Sequence, residues 1–315
     1  RPATSSWLAL YGLERQYPDV RWARGVRYVD DGSIITTAAV LSGVDGALRI
    51  LERDHGADVA RQAAAAVRWP AYHPGGSAPI DAAHPVAADA VALLNAGFRS
   101  PVRAGVLLTP GVGEIELASV FRTYTQLSYV ARLTSVTAGG HPIRSRHGLT
   151  FVPRTAVTAG YDRLLVPGHD AARTHAVDPA WRPVYVHRNA GFPFDATLRD
   201  LAATTDTPTA RWVAKTLEYR PGDLAGPAVP WSPVLLMMLA MVAGSALYGL
   251  ARTALARLPR LRNWLRHLAE MLPVVERPRD VGRPQVGKGL GGGDPAGKAC
   301  GPASLRHAPK PFIQK

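Results

Sequence analysis

Hydrophobic and polar positions change their period along the chain, and each change predicts an element. Around Asp45-Gly-Ala-Leu48-Arg49-Ile-Leu51 the apolar residues recur at helical spacing. Before this helix, the pattern predicts a helix from Trp7 to Gln16, a strand-like Val20 to Trp22, a hairpin turning at Asp30-Asp31-Gly32 and a strand from Ile34 to Thr37. Pro70 to Pro79 is turn-rich, and Asp81 to Phe98 reads as a linking helix. A strand from Arg103 to Thr109, a turn at Pro110-Gly-Val-Gly113, a helix from Glu114 to Thr125 and a strand from Tyr129 to Val136 follow. Further strands are expected at Leu149 to Val152, Arg163 to Val166 and Val184 to His187, ahead of helices at Phe194 to Ala203 and Pro208 to Glu218. Alternating strands and helices predict an α/β fold with a mainly parallel sheet covered on both faces.

The chain also echoes itself at an offset of 150 residues. Asp45, Leu48, Arg49 and Leu51, then Ala60-Arg61 and Trp69, line up with Asp195, Leu198, Arg199 and Leu201, then Ala210-Arg211 and Tyr219. Both stretches read as a helix pair closing an α/β lobe, which predicts a duplication, although chance also produces matches this short.

Beyond this region the pattern loses its polar face. Val234 to Leu250 is almost wholly apolar, and Gly222 to Ala251 carries one charge, Asp223. About 20 helical residues at ~1.5 Å each match a hydrocarbon core of about 30 Å, so Pro233 to Leu255 predicts a single transmembrane helix. Ser232-Pro233 supplies an N-cap and a first-turn proline, and Trp231 stands where an interfacial anchor belongs. The competing reading is a buried core helix, which the missing polar stripe disfavours. Leu258 to Leu272 reads as a short basic amphipathic helix near the membrane surface. Past Pro273, a Gly/Pro-rich run through Gly289-Leu-Gly-Gly-Gly293 has too little to bury and is expected to be disordered.

Charge sharpens the membrane reading. The formal net charge is +13, but from Arg252 onward 13 Lys/Arg stand against 4 Asp/Glu, leaving +4 for the first 251 residues. A basic flank directly after an apolar helix points to membrane topology and anionic lipid, so no nucleic-acid partner is expected. The positive-inside tendency puts the C-terminal side in the cytoplasm and residues 1–230 outside it. A single cysteine, Cys300, cannot form an intrachain disulfide, and no Cys pair exists for a zinc site. The first residues lack an initiator Met and an apolar signal core, so the chain is expected to begin inside a longer reading frame. Ala240 with Gly244, and Ser245 with Gly249, repeat a small-xxx-small spacing that allows a homo-oligomer in the bilayer, or belongs to a lone helix that contains small residues.

Chemical motifs are sparse. Gly111-Val-Gly113-Glu-Ile-Glu116 runs from a strand into a helix, as a dinucleotide site would, but Glu116 fills the third glycine position and would repel a pyrophosphate. No nucleotide or other cofactor is expected. The histidines lack the i, i+4 spacing of a metal site, and His147 and His187 read as structural or solvent-facing. No Gly-x-Ser-x-Gly elbow is present to activate a serine. Asp45 and Asp195 sit at helix starts, where they stabilise the dipole.

Ala3-Thr4-Ser5-Ser6-Trp7, Tyr17-Pro18-Asp19-Val20 and Tyr28-Val-Asp-Asp-Gly-Ser-Ile-Ile-Thr36 through Leu48 resemble the later half of a DJ-1/PfpI domain, in the flavour of the sensor half of GlxA-type AraC regulators. Leu107 to Phe121, with Glu116 after the glycine turn, looks like the opening of a second such domain. The resemblance implies a flavodoxin-like three-layer sandwich, one partial and one degenerate lobe, to which the apolar run adds the transmembrane helix. Together with the hydropathy and charge pattern, it divides the chain into a partial first lobe (1–70), a linker with a helix (71–101), a degenerate second lobe (102–221), the transmembrane helix (231–256), a basic juxtamembrane helix (257–272) and a tail (273–315). In the family, activity uses a cysteine on a strand-to-helix elbow, hydrogen-bonded to an acidic residue at the position of Glu116; a thiolate at a helix N-terminus is strongly nucleophilic.

This chain departs from that pattern. Its first lobe starts just past the point where the elbow belongs, and Ser6 replaces the usual His of the Thr-Thr-His-Trp stretch. Between Val166-Pro-Gly-His-Asp170 and the strand at Val184 there is no cysteine and too little sequence for an elbow helix. No catalytic residue and no metal ligand is therefore expected. The resemblance leaves Glu116, Gly111, Gly113 and His147 as candidate ligand-binding residues. Three readings remain open: a membrane-anchored pseudoenzyme that binds a small molecule or a protein, a fragment of a cysteine hydrolase, amidase-like or glyoxalase-like enzyme whose nucleophile lies upstream, and a relative of transcription-regulator sensors.

Overall fold

The computed structural model describes residues 1–76, 79–125 and 128–271; the expected tail, with Cys300, lies outside them. The first 70 residues contain β1 (Pro2–Ala3), α1 (Trp7–Gln16), β2 (Arg21–Trp22), β3 (Tyr28–Asp30), β4 (Ile35–Thr37), α2 (Ser42–His55) and α3 (Ala57–Ala66). β3 and β4 form the expected hairpin, with Gly32 at φ +92° and the Asp31 carboxylate accepting the N–H groups of Ser33 and Ile34. This part builds no sandwich of its own: β1 pairs only with β2, and β3 only with β4.

The linking helix α4 is shorter than expected, Ala90–Phe98. Pro85 has no N–H to give a helix and biases His84 toward extended backbone, so only a 3-10 turn at Ala87–Asp89 precedes it. Next come β5 (Val102–Leu107), α5 (Glu114–Tyr124), β6 (Ala131–Thr137), β7 (Ile143–Arg144), β8 (Thr150–Phe151), β9 (Thr155–Ala156), β10 (Arg163–Val166), α6 (His169–Thr174), β11 (Pro183–Tyr185), α7 (Pro193–Thr204), α8 (Thr207–Thr216) and α9 (Trp231–Met271).

Five strands form one parallel sheet in the order β11-β10-β5-β6-β9. Leaving aside the two-residue edge strand β9, this is the doubly wound order of flavodoxin-like sheets. Successive side chains of a strand point to opposite faces. Ala104, Val106 and Leu108 accordingly join a core with Leu117 and Val120 of α5, Leu198 and Leu201 of α7 and Val213 of α8. Leu107 instead packs with Val136, Leu164 and Val166 against Ala171 and Ala172 of α6. Helices thus cover both faces, giving three layers.

Two expectations are corrected in this region. The strand expected at Leu149 to Val152 leaves the sheet, because Ile143–Arg144 turns back to pair with it as the antiparallel hairpin β7–β8; β9 takes the sheet edge instead. The stretch after Val166 does hold a helix, α6, although it is only six residues long. Gly168 makes this possible: at φ +108° it turns the chain out of β10 directly into the helix.

The 150-residue echo has a geometric counterpart. Val67, Arg68 and Trp69 give their N–H groups to Ala63, Ala65 and Ala64, and Leu217, Glu218 and Tyr219 repeat these bonds on Val213, Lys215 and Ala214. Arg68 and Glu218 both take left-handed backbone, at φ 56° and 51°. The Trp69 indole N–H donates to Asp45 at 2.8 Å, and the Tyr219 hydroxyl donates to Asp195 at 2.8 Å. These carboxylates therefore hold an aromatic ring besides opening a helix. The two rings stack on each other, 6.2 Å apart and 26° from parallel. Trp7, Leu48 and Trp69 share one core with Phe192, Leu198 and Tyr219, so residues 1–70 and 102–221 bury a common interior.

Helix α9 differs from the expected pair of helices: it runs unbroken from Trp231 to Met271 with Pro259 inside it. A proline removes one N–H from the ladder without deleting its neighbours, and here that does not end the helix. The helix is long and apolar enough to cross a membrane, and its most apolar 18 residues are not buried within this chain.

Candidate functional site

In a doubly wound sheet, the connections from two adjacent strands leave in opposite directions at one point, and a crevice opens beyond the strand ends there. β5 and β10 are those neighbours here. β5 leads through the glycine turn into α5, and β10 leads through Pro167-Gly168 into α6.

Glu116, in the first turn of α5, fills the crevice and is buried. Its carboxylate accepts the N–H of Gly113 at 2.9 Å and, from across the crevice, the N–H of His169 at 2.8 Å. A carboxylate in the first turn also suits the positive end of the helix dipole. Arg146, from the β7–β8 hairpin, reaches over it, with Nη2 3.5 Å from Glu116 and 3.1 Å from the exposed Asp170. The hairpin is fixed at this spot by two backbone bonds, Gly111 N–H to Arg144 and Arg146 N–H to Val112.

His187 enters from the end of β11 and is 3% exposed. Its Nδ1 accepts the N–H of Gly168 at 3.0 Å, so that nitrogen carries no proton. Nε2 must then be the protonated nitrogen, and it lies 3.0 Å from the Ser119 hydroxyl. Ser119, fully buried, gives its own proton to the Glu116 carbonyl at 2.8 Å, because a carbonyl can only accept. With Nδ1 unprotonated, Gly168 donates to His187, the imidazole proton has the Ser119 hydroxyl and the Pro193 carbonyl as acceptors, and Ser119 donates to the Glu116 carbonyl. Burial pushes the His187 imidazole down to about 4, against the opposing pull of the Glu116 carboxylate.

The four residues expected to bind a ligand cluster only in part. Gly113 is shaped by Glu116, since a methyl at this position would stand 2.5 Å from Oε2. Gly111 supplies the turn, at φ +78°. His147 does not face Glu116; its ring Nδ1 lies 2.6 Å from Glu114, which also accepts the Ser145 hydroxyl at 2.6 Å and the His147 N–H at 3.0 Å. Burial alone would raise the Glu114 carboxyl, but these hydrogen bonds outweigh it and bring it to about 2. Glu114 therefore anchors the hairpin that carries Arg146.

No family model matches the chain, and no curated protein matches it. Among solved structures it is similar to an AraC family transcriptional regulator from Pseudomonas putida, at 15% identity over 37% of this chain and 99% of that one, with a TM-score of 0.30. A THiJ/PfpI family protein from Pseudomonas syringae is similar at 17% identity over 47% and 88% of the two chains, with a TM-score of 0.33. The oxidized DJ-1 of Toxoplasma gondii is similar at 12% identity over 38% and 98%, with a TM-score of 0.29.

Chemically, the arrangement is a closed one. A serine beside a histidine becomes a nucleophile when the imidazole can accept its proton. Here the nitrogen facing Ser119 is itself the donor, and its lone-pair nitrogen is occupied by Gly168. The sequence leaves His187 either structural or solvent-facing, and the structure buries it; Ser119 and His169 are not singled out by the sequence. Neither stands in a recognisable motif; only the strand order brings them to Glu116.

Proposed function

We propose that the chain is a membrane-tethered pseudoenzyme of DJ-1/PfpI type, a module that recognises a small molecule or a protein rather than transforming it. The observation that carries this reading is the saturated switch point. Glu116 spends its oxygens on the N–H groups of Gly113 and His169, and His187 and Ser119 spend their protons on each other and on backbone. Recognition falls to the rim, where Arg146, His147 and Asp170 are exposed above the buried carboxylate. The two helix pairs, with their matching turns and ring-to-carboxylate bonds, are degenerate copies of one unit.

The tether is α9. Ser245, the aliphatic hydroxyl of the apolar stretch, donates back to the Met241 carbonyl at 2.9 Å, so it needs no outside partner in lipid. The arginines that follow belong on the cytoplasmic side and the α/β body on the other. The small residues from Ala240 to Gly249 allow close approach of a second α9. The full chain is expected to stay in the membrane pellet after carbonate washing. Replacing Leu239 and Val242 together with Arg costs about 2.5 to 3.5 kcal/mol per residue at a helix centre and should shift the protein to the supernatant. A wild-type chain found in the supernatant would remove the tether from the proposal.

A further inference from the structure

Away from the switch point, a pocket of about 560 Å3 opens between α6 and β11. Its floor is apolar: Ala172, Val177, Pro179, Pro183 and the ring of Tyr185. The Tyr185 hydroxyl is already engaged, accepting the N–H of Val177 at 3.2 Å, and the His175 ring packs edge-on against the Tyr185 ring with centroids 5.6 Å apart, so the ring offers the carbon surface that His175 leaves open. Around this floor stand His175, Arg182 and Arg188, and no carboxylate lines the pocket. The three are exposed, and neither guanidinium forms a salt bridge among the described residues.

The backbone conformation at two of these residues supplies a handle for testing the pocket. Among the described residues only five other than glycine have positive φ, and two of them, His175 at 47° and Arg182 at 51°, line this one pocket. Each closes a short helical turn, the position where glycine is ordinarily favoured because it avoids the cost of a Cβ.

We infer that this pocket binds a phosphomonoester with an apolar body. The phosphoryl group would take up the forked donors of Arg182 and Arg188 with His175 beside them, and the body would lie on Tyr185 and the two prolines. Paired guanidinium forks match the oxygens of a phosphate, and a dianion gains more than a carboxylate from several cations. The proposal does not rest on the switch-point reading, since no residue is shared.

Titration calorimetry on the full chain in neutral detergent tests it, with phenyl phosphate as the probe. Phenyl phosphate should bind more tightly than inorganic phosphate and than benzoate, and Arg188→Ala should weaken it about tenfold or more. Arg182→Gly is the decisive variant: it should lose binding to the same degree while its melting temperature holds or rises, because glycine relieves the left-handed backbone. Arg61→Ala, on the surface of α3, should leave affinity unchanged. Vesicles of phosphatidic acid in phosphatidylcholine that compete with the probe would assign the ester to a lipid headgroup; vesicles without effect would assign it to a soluble one. Absence of phenyl phosphate binding, or equal weakening by Arg61→Ala, would overturn the proposal.

Discussion

Trp69→Ala is expected to cost the α/β body about 4 to 8 kcal/mol. Truncating a buried Trp costs about 3 to 5 kcal/mol through lost burial and the cavity left behind. Trp69 is 5% exposed and touches Phe192 and Tyr219, so its cavity opens at the meeting of both helix pairs. The change also removes the indole donor from the buried Asp45 carboxylate, and an abandoned buried acceptor adds about 1 to 3 kcal/mol. Against a usual total of about 5 to 15 kcal/mol, such a loss leaves the fold marginal. Tyr219→Phe, which deletes only the bond to Asp195, should cost about 1 kcal/mol. Urea unfolding followed by near-UV circular dichroism measures both. Hydrogen exchange adds a sharper check: α7 and α8 should lose protection together with α2 and α3 in Trp69→Ala, and loss confined to α2 and α3 would contradict a shared keystone.

The second large effect depends on pH. His187 titrates near 4 in the folded chain against about 6.5 when unfolded. Between these values the unfolded state binds the extra proton, so stability rises with pH across this window and is lost as pH falls from about 6.5 toward 4. At about 1.4 kcal/mol per unit, the swing is about 3 kcal/mol. Asp45 and Glu218, both raised by burial to about 6, run the other way: their contributions are present at low pH and fade as pH rises through 6. The difference between wild type and His187→Gln isolates the histidine. That difference should favour wild type progressively from pH 4 to 6.5, whereas parallel profiles would mean that the imidazole is not buried neutral.

How far the chain discloses itself depends on the range of the interactions. The glycine turn into α5 and the Asp30-Asp31-Gly32 hairpin are local patterns and are legible from spacing, whereas the echo of Asp45 at Asp195 shows only because the same spacing recurs 150 residues later. The strand at Leu149 to Val152 was misplaced because a short apolar run does not name its partner, and Ile143–Arg144 captured it. Helix α6 is hidden in the sequence because one glycine, Gly168, does the work of a longer connection. Glu116 could be singled out from its place after the glycines. Its partners could not: Ser119, His169 and His187 come from three elements, and only the order β11-β10-β5 brings them together. Residues Arg182 and His175 gave no signal at all, since left-handed backbone at a non-glycine residue leaves no mark in sequence.

The most direct measurement is turnover by the full chain in detergent, with methylglyoxal and an activated amide as substrates, beside Glu116→Ala, Ser119→Ala and His187→Ala. A switch point whose protons are all committed predicts rates equal to buffer for wild type and variants alike. Turnover by wild type that any one of these three substitutions abolishes would contradict it.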